Sequence, residues 1–211
     1  MSTWPPAAAV AHLRGADPVL RELIDRLGPE PLRRRRAEQP AEHYGALVRS
    51  IVGQQLSTKA ARAIFSRLTE RFDGRTPTPA EVLADDPDEL RAAAGLSRAK
   101  VTFLRSLAEH VMDGSLELER LGDLPEEAVI KELTAVKGLG TWTAHMFLMF
   151  HLERPDVLAV GDLGIRRAFM NNYGFDHLPS PDEMEPVAEP WRPYRTIACM
   201  YLWRSLDNTP A

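Results

Sequence analysis

A glycine hairpin and one carboxylate are the features of this sequence whose residue types and spacing indicate chemistry. The hairpin, residues 137–141, has the sequence Lys-Gly-Leu-Gly-Thr, and its glycines permit a sharp turn and a close approach of the backbone to a ligand. A helix predicted to begin at Thr141 points its free N–H groups into the turn, which attracts an anion such as a phosphate. Asp162 lies 24 residues after Gly138, and one helix and a loop are enough to return its carboxylate to the hairpin.

Each of these two features also has a simpler interpretation. The glycines are compatible with a plain turn between two helices, in which they only terminate helices. Asp162 is compatible with a helix N-cap whose side chain accepts a hydrogen bond from the N–H of Gly164 or Ile165. The choice between the interpretations depends on the longer pattern around them.

The composition limits the class of protein. The chain has 211 residues, 44% of them apolar and 27% charged, which is the balance of a globular protein with one large domain or two small lobes. No apolar run is long enough to span a membrane, and the N-terminus lacks the pattern of a secretory signal. The single cysteine, Cys199, excludes an internal disulfide and a cysteine-ligated iron–sulfur cluster, and it favours a reducing cytoplasm.

The placement of charge is more informative than its sum. The formal net charge of −4 argues weakly against a nucleic-acid partner, but Lys131, Lys137, Arg166 and Arg167 make the sequence around the hairpin basic. A local basic surface on an acidic protein can bind DNA in a salt-dependent manner. The four arginines at 33–36 are interpreted as a solvated helix face or linker, with a DNA contact as the less favoured alternative.

Apolar residues at helical spacing predict about ten helices, and no segment alternates convincingly over the length of a strand. The predicted helices are 19–27, 43–52, 58–72, 77–83, 87–94, 97–112, 125–136, 141–152, 163–173 and 191–206. The candidate N-caps are Asp17, Ser57 or Thr58, Thr78 and Asp86. The predicted fold class is therefore all-α, in two lobes that no Gly/Ser-rich linker separates.

Two longer patterns surround the hairpin and the carboxylate. Residues 133–144 have the pattern Leu-x-x-Val-Lys-Gly-Leu-Gly-x-Trp-Thr-Ala, and residues 162–166 have the pattern Asp-Leu-x-Ile-Arg. Together they resemble the helix-hairpin-helix (HhH-GPD) superfamily of DNA glycosylases, and within it the 3-methyladenine DNA glycosylase II family. The resemblance covers about residues 44–206, which is most of the chain.

The resemblance implies one HhH-GPD domain of two lobes with a central cleft for DNA and its base. Residues of about 1–42 and 153–211 are expected in one lobe and about 43–152 in the other, with the helix-hairpin-helix at 126–152. The N-terminal β-rich domain of some members is expected to be absent.

The same resemblance implies that Asp162 is the catalytic carboxylate of a glycosylase that removes alkylated bases, of the 3-methyladenine and 7-methylguanine type, from duplex DNA during base excision repair. Cleavage of the N-glycosidic bond develops positive charge on the sugar, which a fixed carboxylate stabilises while it orients or deprotonates the attacking water. Some relatives attack the sugar with a lysine just after the hairpin. Here that position holds Trp142, so a monofunctional hydrolase without lyase activity is expected.

The resemblance also implies contacts with DNA. The loop 53–57, Gly-Gln-Gln-Leu-Ser, corresponds to the loop that inserts a wedge into the duplex when the base is flipped. Gln55 and Leu56 are both candidates for the wedge, and the simpler alternative is an interhelix turn with Leu56 in the core. Lys100 either contacts phosphate or is an ordinary surface lysine. The expected DNA-binding residues are Gln54, Gln55, Leu56, Ser57, Lys100, Lys137, Gly138, Leu139, Gly140, Thr141 and Arg166.

A base pocket is implied at positions where the family has aromatic residues. These positions correspond to Trp142, Met146 and Met200, and the two methionines predict a looser pocket or a shifted substrate range. Tyr201 and Trp203 are further candidates, because aromatic faces bind cationic purines. The competing interpretation places the tryptophans in the core.

The remaining expectations concern ions, partners and location. By position, the main-chain carbonyls of Thr134, Val136 and Leu139 are expected to hold a structural Na⁺ or K⁺, and no cofactor is required. Lys137 stands where the family usually has proline. The expected partner is duplex DNA that contains damaged bases, with no membrane, and the protein is expected to be a monomer in the cytoplasm, near the nucleoid of a bacterial-type cell.

Three alternatives stay open at this point. They are a non-catalytic helix-hairpin-helix module that only binds DNA, a glycosylase for oxidised or mismatched bases, and an all-α interaction protein. Asp162 argues against the first, because a pure binder has no use for a carboxylate beside a phosphate site. The missing lysine and the missing cysteine cluster argue against the second.

Overall fold

The computed structural model describes residues 5–28 and 42–207, and within these ranges it contains twelve α-helices and no β-strand. The predicted all-α class is therefore confirmed. The helices are α1 Ala7–Ala16, α2 Pro18–Leu27, α3 His43–Gly53, α4 Thr58–Glu70, α5 Pro79–Ala84, α6 Pro87–Ala94, α7 Arg98–Met112, α8 Glu126–Ala135, α9 Thr141–Phe150, α10 Leu163–Tyr173, α11 Pro181–Ala188 and α12 Arg195–Asp207. Two 3₁₀ helices cover Leu118–Arg120 and Glu189–Trp191. The arginine run at 33–36 lies outside the described residues.

Two of the twelve helices, α1 and α11, are missing from the ten that were predicted. Helix α1 consists mostly of small residues, so it lacks the strong apolar periodicity on which the prediction relied. Helix α11 has Pro186 inside it, which obscures the helical pattern, although its capping box of Ser180 and Glu183 was a usable signal.

The last helix begins later than predicted. It was expected from Trp191, but α12 starts at Arg195. The reason is Pro193, which disfavours helical geometry in the residue before it. Arg192 accordingly has an extended ψ of 139°.

Side-chain caps fix the starts of several helices, as the sequence indicated. Asp17, Thr78 and Asp86 accept hydrogen bonds from backbone N–H groups at the starts of α2, α5 and α6. Of the two candidates before α4, Ser57 is the cap and accepts from the Ala60 N–H. Each such cap satisfies helix donors that would otherwise have no partner.

The chain divides into two units, each of which is described by itself. Unit 1 comprises Met1–Glu38 and Leu148–Ala211, and unit 2 comprises Gln39–Phe147. The sequence placed the division near residues 42 and 152. How the two lobes meet, and the cleft between them, stay predictions. No helix in the described ranges is sufficiently long and apolar to cross a membrane.

A buried carboxylate organises the core of unit 1. Asp17 is 6% exposed, and its Oδ1 accepts from the N–H groups of Val19 and Leu20 at 2.8 and 3.0 Å. Its Oδ2 accepts from the Trp191 indole Nε1 at 2.8 Å and from the Tyr173 hydroxyl at 3.0 Å. Burial, together with the charge of Asp17, raises the pKa of Tyr173 far above its usual range. One side chain therefore joins the start of α2 to the end of α10 and to the turn before α12.

The core of unit 2 lies between α3 and α7, whose apolar side chains are almost completely buried. These include Leu47, Ile51, Leu104 and Leu107. Helix α4 packs on α3, and α5 packs on α7. The packing places the loop after α3 and the turn before α9 on buried, closely packed supports.

We expect Asp17→Ala to destabilise the protein by about 3 kcal/mol, because the buried Trp191 indole, the half-buried Tyr173 hydroxyl and one helix start lose their acceptor. Urea unfolding followed by circular dichroism measures the change. Asp25→Ala is the matched control: Asp25 forms an exposed ion pair with Arg14, which is worth less than about 1 kcal/mol. Equal destabilisation by the two substitutions would contradict the central role of Asp17.

Candidate active site

Asp162 begins α10 and accepts two hydrogen bonds on one oxygen. Its Oδ1 receives the backbone N–H of Ile165 at 2.8 Å and the indole Nε1–H of Trp203 at 2.7 Å. The prediction that Asp162 caps a helix is therefore confirmed, with the Ile165 N–H as the donor. The second bond comes from α12, 41 residues further along the chain. Together the two donors hold a half-buried carboxylate in one orientation.

Gly164 makes room for the bond between Asp162 and Trp203. A Cβ at position 164 would lie 2.9 Å from Asp162 Oδ1 and 3.0 and 3.1 Å from Trp203 Cδ1 and Nε1. These separations are shorter than ordinary carbon contacts, so any side chain here would push the indole away from the carboxylate. A glycine in the first turn of a helix lowers helix propensity. Its presence at position 164 was therefore the one signal in the sequence that a neighbouring group needs this space.

Trp203 has a role that the sequence did not indicate. It was predicted to line a base pocket, and it is half-buried, with its ring stacked on Phe150 at a centroid distance of 5.8 Å. Its N–H is committed to Asp162, so it acts on the carboxylate directly. Leu163, next to Asp162, is a second residue that was not singled out, and it is 54% exposed. No spacing rule predicts that Trp203 and Asp162, which are 41 residues apart in the sequence, form a hydrogen bond.

The hairpin between α8 and α9 depends on Gly138. This residue has φ of +95°, and a Cβ there would clash with Cγ and both Cδ atoms of the Phe103 ring. The Leu139 N–H closes the turn by donating to the Val136 carbonyl at 3.0 Å. Only glycine satisfies both the backbone conformation and the packing of Phe103. These two constraints explain why position 138, the first glycine of the motif, is a glycine.

The loop after α3 is tied to the hairpin through a side chain. The Gln54 Nε2 donates to the Gly138 carbonyl at 2.8 Å and to Thr143 Oγ1 at 3.4 Å. Gln54 was predicted to contact DNA; the structure shows that it connects two backbone segments that were both predicted to do so. The next residue, Gln55, is exposed and has φ of +57°, a strained conformation that persists only where the surroundings impose it.

Lys100 is not the ordinary surface lysine of the second alternative, and its contact with phosphate stays a prediction. Lys100 is only 9% exposed, and its Nζ donates to the Val52 carbonyl at 2.7 Å. Burial lowers the pKa of Lys100. A cation at the last carbonyls of α3 satisfies an acceptor that the helix leaves over and complements the helix dipole. Lys100 therefore holds the end of α3 and the loop that follows it.

Leu56 lies on the surface, with 39% of its area exposed. The alternative that placed it in the core is therefore wrong. Its neighbour Ser57, which was also predicted to contact DNA, uses its hydroxyl to cap α4. The loop thus presents Gln55 and Leu56 to solvent while Gln54 and Ser57 hold its two ends.

The predicted pocket residues fall on two helices. Trp142, 39% exposed, and the half-buried Met146 lie on α9 in unit 2, whereas Met200, Tyr201 and Trp203 lie on α12 in unit 1. Tyr201 has no exposed surface, and burial raises its pKa. The prediction that Tyr201 lines the pocket is wrong, because its side chain packs into the core. Met200 is also buried.

Arg166 was likewise predicted to contact DNA and is engaged elsewhere. Its Nε and Nη2 donate to the carbonyls of Pro179 and Leu178 at 2.9 and 3.1 Å. These two bonds hold the segment before α11 against α10, and the contact of Arg166 with DNA stays a prediction. Lys137, Gly140 and Thr141 are exposed on the hairpin, while Leu139 is buried beneath it.

The predicted cation ligands are neutral peptide oxygens. Of the three, the Val136 carbonyl already accepts the Leu139 N–H, and a carbonyl oxygen retains a second lone pair for an ion. The hydroxyl of Thr134 donates to the Ile130 carbonyl at 2.7 Å and so points back along α8. Such a donor set suits an alkali cation. Among residues 5–28 and 42–207, no group of three His, Cys, Asp or Glu side chains is arranged to hold a metal ion.

Comparison with known proteins agrees with this geometry. The sequence model of the HhH-GPD superfamily of base excision DNA repair proteins matches residues 48–193. The chain is 36% identical over 202 residues to DNA-3-methyladenine glycosylase 1 of Schizosaccharomyces pombe, a match that covers 93% of this chain and 86% of that protein. The protein therefore belongs to the HhH-GPD superfamily.

Two solved structures narrow the similarity to one branch of that superfamily. The S. pombe 3-methyladenine DNA glycosylase in complex with abasic DNA has a TM-score of 0.84 and 34% identity, covering 95% of this chain and 97% of that one. The DNA-3-methyladenine glycosidase of Bacillus halodurans has a TM-score of 0.82 and 36% identity, covering 99% and 92% of the two chains. The chain is thus similar in sequence and in fold to 3-methyladenine DNA glycosylases.

We expect Gly164→Ala to separate the Trp203 indole from Asp162, because the new methyl group would occupy the space between them. In ¹H–¹⁵N spectra, the indole N–H signal of Trp203, assigned with Trp203→Phe, should move upfield as its hydrogen bond is lost. Stability should fall by about 1 kcal/mol despite the helix-favouring alanine. Gly161→Ala is the control, since a Cβ at position 161 meets no atom within 4 Å. An unmoved indole signal in Gly164→Ala would refute this account.

Proposed function

We propose that the protein is a monofunctional DNA glycosylase that hydrolyses the N-glycosidic bond of alkylated bases, of the 3-methyladenine and 7-methylguanine type, in duplex DNA. The observation that carries the proposal is the Asp162 carboxylate, fixed by Ile165 and Trp203 at the start of α10. The similarity to glycosylases for 3-methyladenine supports the substrate class. Base excision repair is the process in which such an enzyme acts.

Asp162 supplies the negative charge that the reaction needs. As the bond between base and sugar breaks, the sugar develops oxocarbenium character, and an oriented carboxylate stabilises that charge without reorganising. The same carboxylate can position the water that attacks the sugar and accept its proton. Because Oδ1 is occupied by two donors, the carboxylate stays in one orientation during the reaction.

An alkylated base reduces the demand on the protein at the leaving-group side. A purine methylated on a ring nitrogen already carries a positive charge, so it leaves without a general acid. Its charge is also attracted to an aromatic face. Trp142 is the exposed aromatic residue on α9, and we propose that it contacts the base together with Met146 on the same helix.

DNA binding is assigned to the hairpin and the loop 54–57 of unit 2. Helix α9 begins at the exposed residue Thr141, and the N–H groups of a helix start suit a backbone phosphate. Gln55 and Leu56 stand exposed at the tip of the loop, and an apolar side chain such as Leu56 is suited to fill the gap that a flipped base leaves. The strained φ of Gln55 supports a functional role for this tip.

Several untested expectations belong to the same proposal. A structural Na⁺ or K⁺ is proposed at the carbonyls of Thr134, Val136 and Leu139, where it would tighten the turn, and no cofactor is required for hydrolysis. The protein is proposed to act as a monomer. A cytoplasmic location is proposed from the single cysteine of the chain.

We expect Asp162→Asn to slow release of 3-methyladenine from duplex DNA by about 100-fold or more, because charge stabilisation in a preorganised site is lost. Single-turnover release of the base measures the rate. Asp86→Asn is the matched control: Asp86 caps α6 with the same kind of geometry and has no place in the site, so its rate should equal that of the wild type. Undiminished release by Asp162→Asn would contradict the proposal. Tight binding without any release by the wild type would instead indicate a non-catalytic DNA-binding module.

We expect no covalent complex when the protein is mixed with lesion-containing DNA and borohydride, because Trp142 occupies the position of the lysine that attacks the sugar in bifunctional relatives. Denaturing gel electrophoresis detects the trapped adduct, and a glycosylase with lyase activity is the positive control. A protein–DNA adduct that depends on borohydride would show that the enzyme is bifunctional.

A further inference from the structure

The α3–α4 hairpin is positively charged within a negatively charged protein. Residues 43–69 contain three arginines and one lysine and no Asp or Glu, whereas the whole chain has a net charge of −4. Arg67 lies on α4, and its Nε donates to the Ala94 carbonyl at 3.0 Å. The other three, Arg49, Lys59 and Arg62, belong to the helices on either side of the loop. An uninterrupted basic segment of this kind suits an anionic partner.

A cavity of about 200 Å³ lies between α3 and α4. Arg49 and Arg62 line it, and none of its lining residues is acidic. The cavity exists because Gly53 and Ala61, which face each other with 3.8 Å between Ala61 Cβ and a Cβ built at position 53, add little volume. It is smaller than the roughly 300–1,000 Å³ of sites for drug-sized ligands, and its size and charge suit a phosphate group with part of its sugar.

One of the two guanidinium groups is held in a fixed position. The Arg49 Cζ lies 5.3 Å from the ring centroid of Phe65, a cation–π contact that orients the planar group. Arg62 is exposed at the other side of the cavity. Guanidinium groups suit phosphate because their parallel N–H donors match two of its oxygens.

The loop 54–57 connects this cavity to the hairpin. Gln54 bonds the Gly138 carbonyl, whereas Leu56 lines the cavity. A wedge residue enters the duplex between its two strands. Under the proposed function the hairpin, which Gln54 contacts, would hold the strand that carries the damaged base, and the cavity, which Leu56 lines, is assigned to the complementary strand.

We infer that the cavity between α3 and α4 is a second phosphate site, in which Arg49 and Arg62 bind the backbone of the strand opposite the damaged base. This inference rests on the proposed function. The site would hold the complementary strand against Leu56 while the base is flipped out, so that the wedge is supported from both strands. It carries no sequence information, because phosphate contacts position a protein without reading bases.

The test compares DNA binding by the wild type, Arg62→Gln and Arg62→Lys. The probe is a duplex with a tetrahydrofuran abasic analogue, and binding is measured by fluorescence anisotropy over a range of salt concentrations. Arg62→Gln should lower the affinity about five- to tenfold and reduce the slope of log K against log salt by about one. Arg62→Lys should retain most of the affinity, because it keeps the charge. Arg120→Gln, a substitution of an exposed arginine paired with Glu117, is the control and should bind like the wild type.

Neutral methylphosphonate linkages identify the strand. Placed in the complementary strand opposite the lesion, they should abolish the difference between the wild type and Arg62→Gln, because the two perturbations remove the same interaction. Placed in the lesion strand, they should leave that difference intact. The wild type and Arg62→Gln should also bind the lesion-containing single strand equally well, because the complementary strand is then missing.

The outcomes separate this inference from the proposed function. Wild-type affinity in Arg62→Gln, or a difference that persists with a neutral complementary strand, overturns the second phosphate site even if the enzyme releases bases. Absence of base release by the wild type contradicts the glycosylase activity alone, because binding to the abasic analogue needs no cleavage. A strand-dependent loss in that case still supports the second site.

Discussion

The hydrogen bond from the Trp203 indole to Asp162 is the interaction on which the candidate active site depends. A helix N-cap alone fixes a carboxylate through one local donor, and its orientation then follows the first turn of the helix. Here a second donor from α12 reaches the same oxygen. The bond exists only because Gly164 leaves the indole room to approach. The orientation of the Asp162 carboxylate thus relies on Gly164, a residue without a side chain.

In unit 2, buried groups likewise fix the elements that are proposed to bind DNA. Its exposed elements, the hairpin and the loop after α3, are each held from beneath by a buried group. Phe103 fills the space under Gly138, and Lys100 binds the end of α3. Gln54 then joins the two elements. Preorganised surfaces of this kind lose little conformational entropy when they bind.

The fold was largely predictable, because local patterns encode helices. Apolar residues at helical spacing and the caps Asp17, Thr78 and Asp86 located ten of the helices in the described ranges. Helices α1 and α11 were missed where small residues or an internal proline removed the periodicity. The hairpin and Asp162 were identified by motif. Tyr201 was assigned wrongly, and the internal bonds of Lys100 and Arg166 were not foreseen, because residue type and position do not reveal which polar side chains are used inside the protein.

By itself, the sequence determined the all-α class, most helix boundaries, the glycine turn and the carboxylate before α10. All of these depend on residues within a few positions of one another. The tertiary structure decided which side chains serve the site and which serve the fold. Trp203 reaches Asp162 across 41 residues, Gln54 reaches Gly138 across 84, and Lys100 reaches Val52 across 48. Such contacts depend on packing between helices, and packing brings together residues whose spacing in the chain carries no signal.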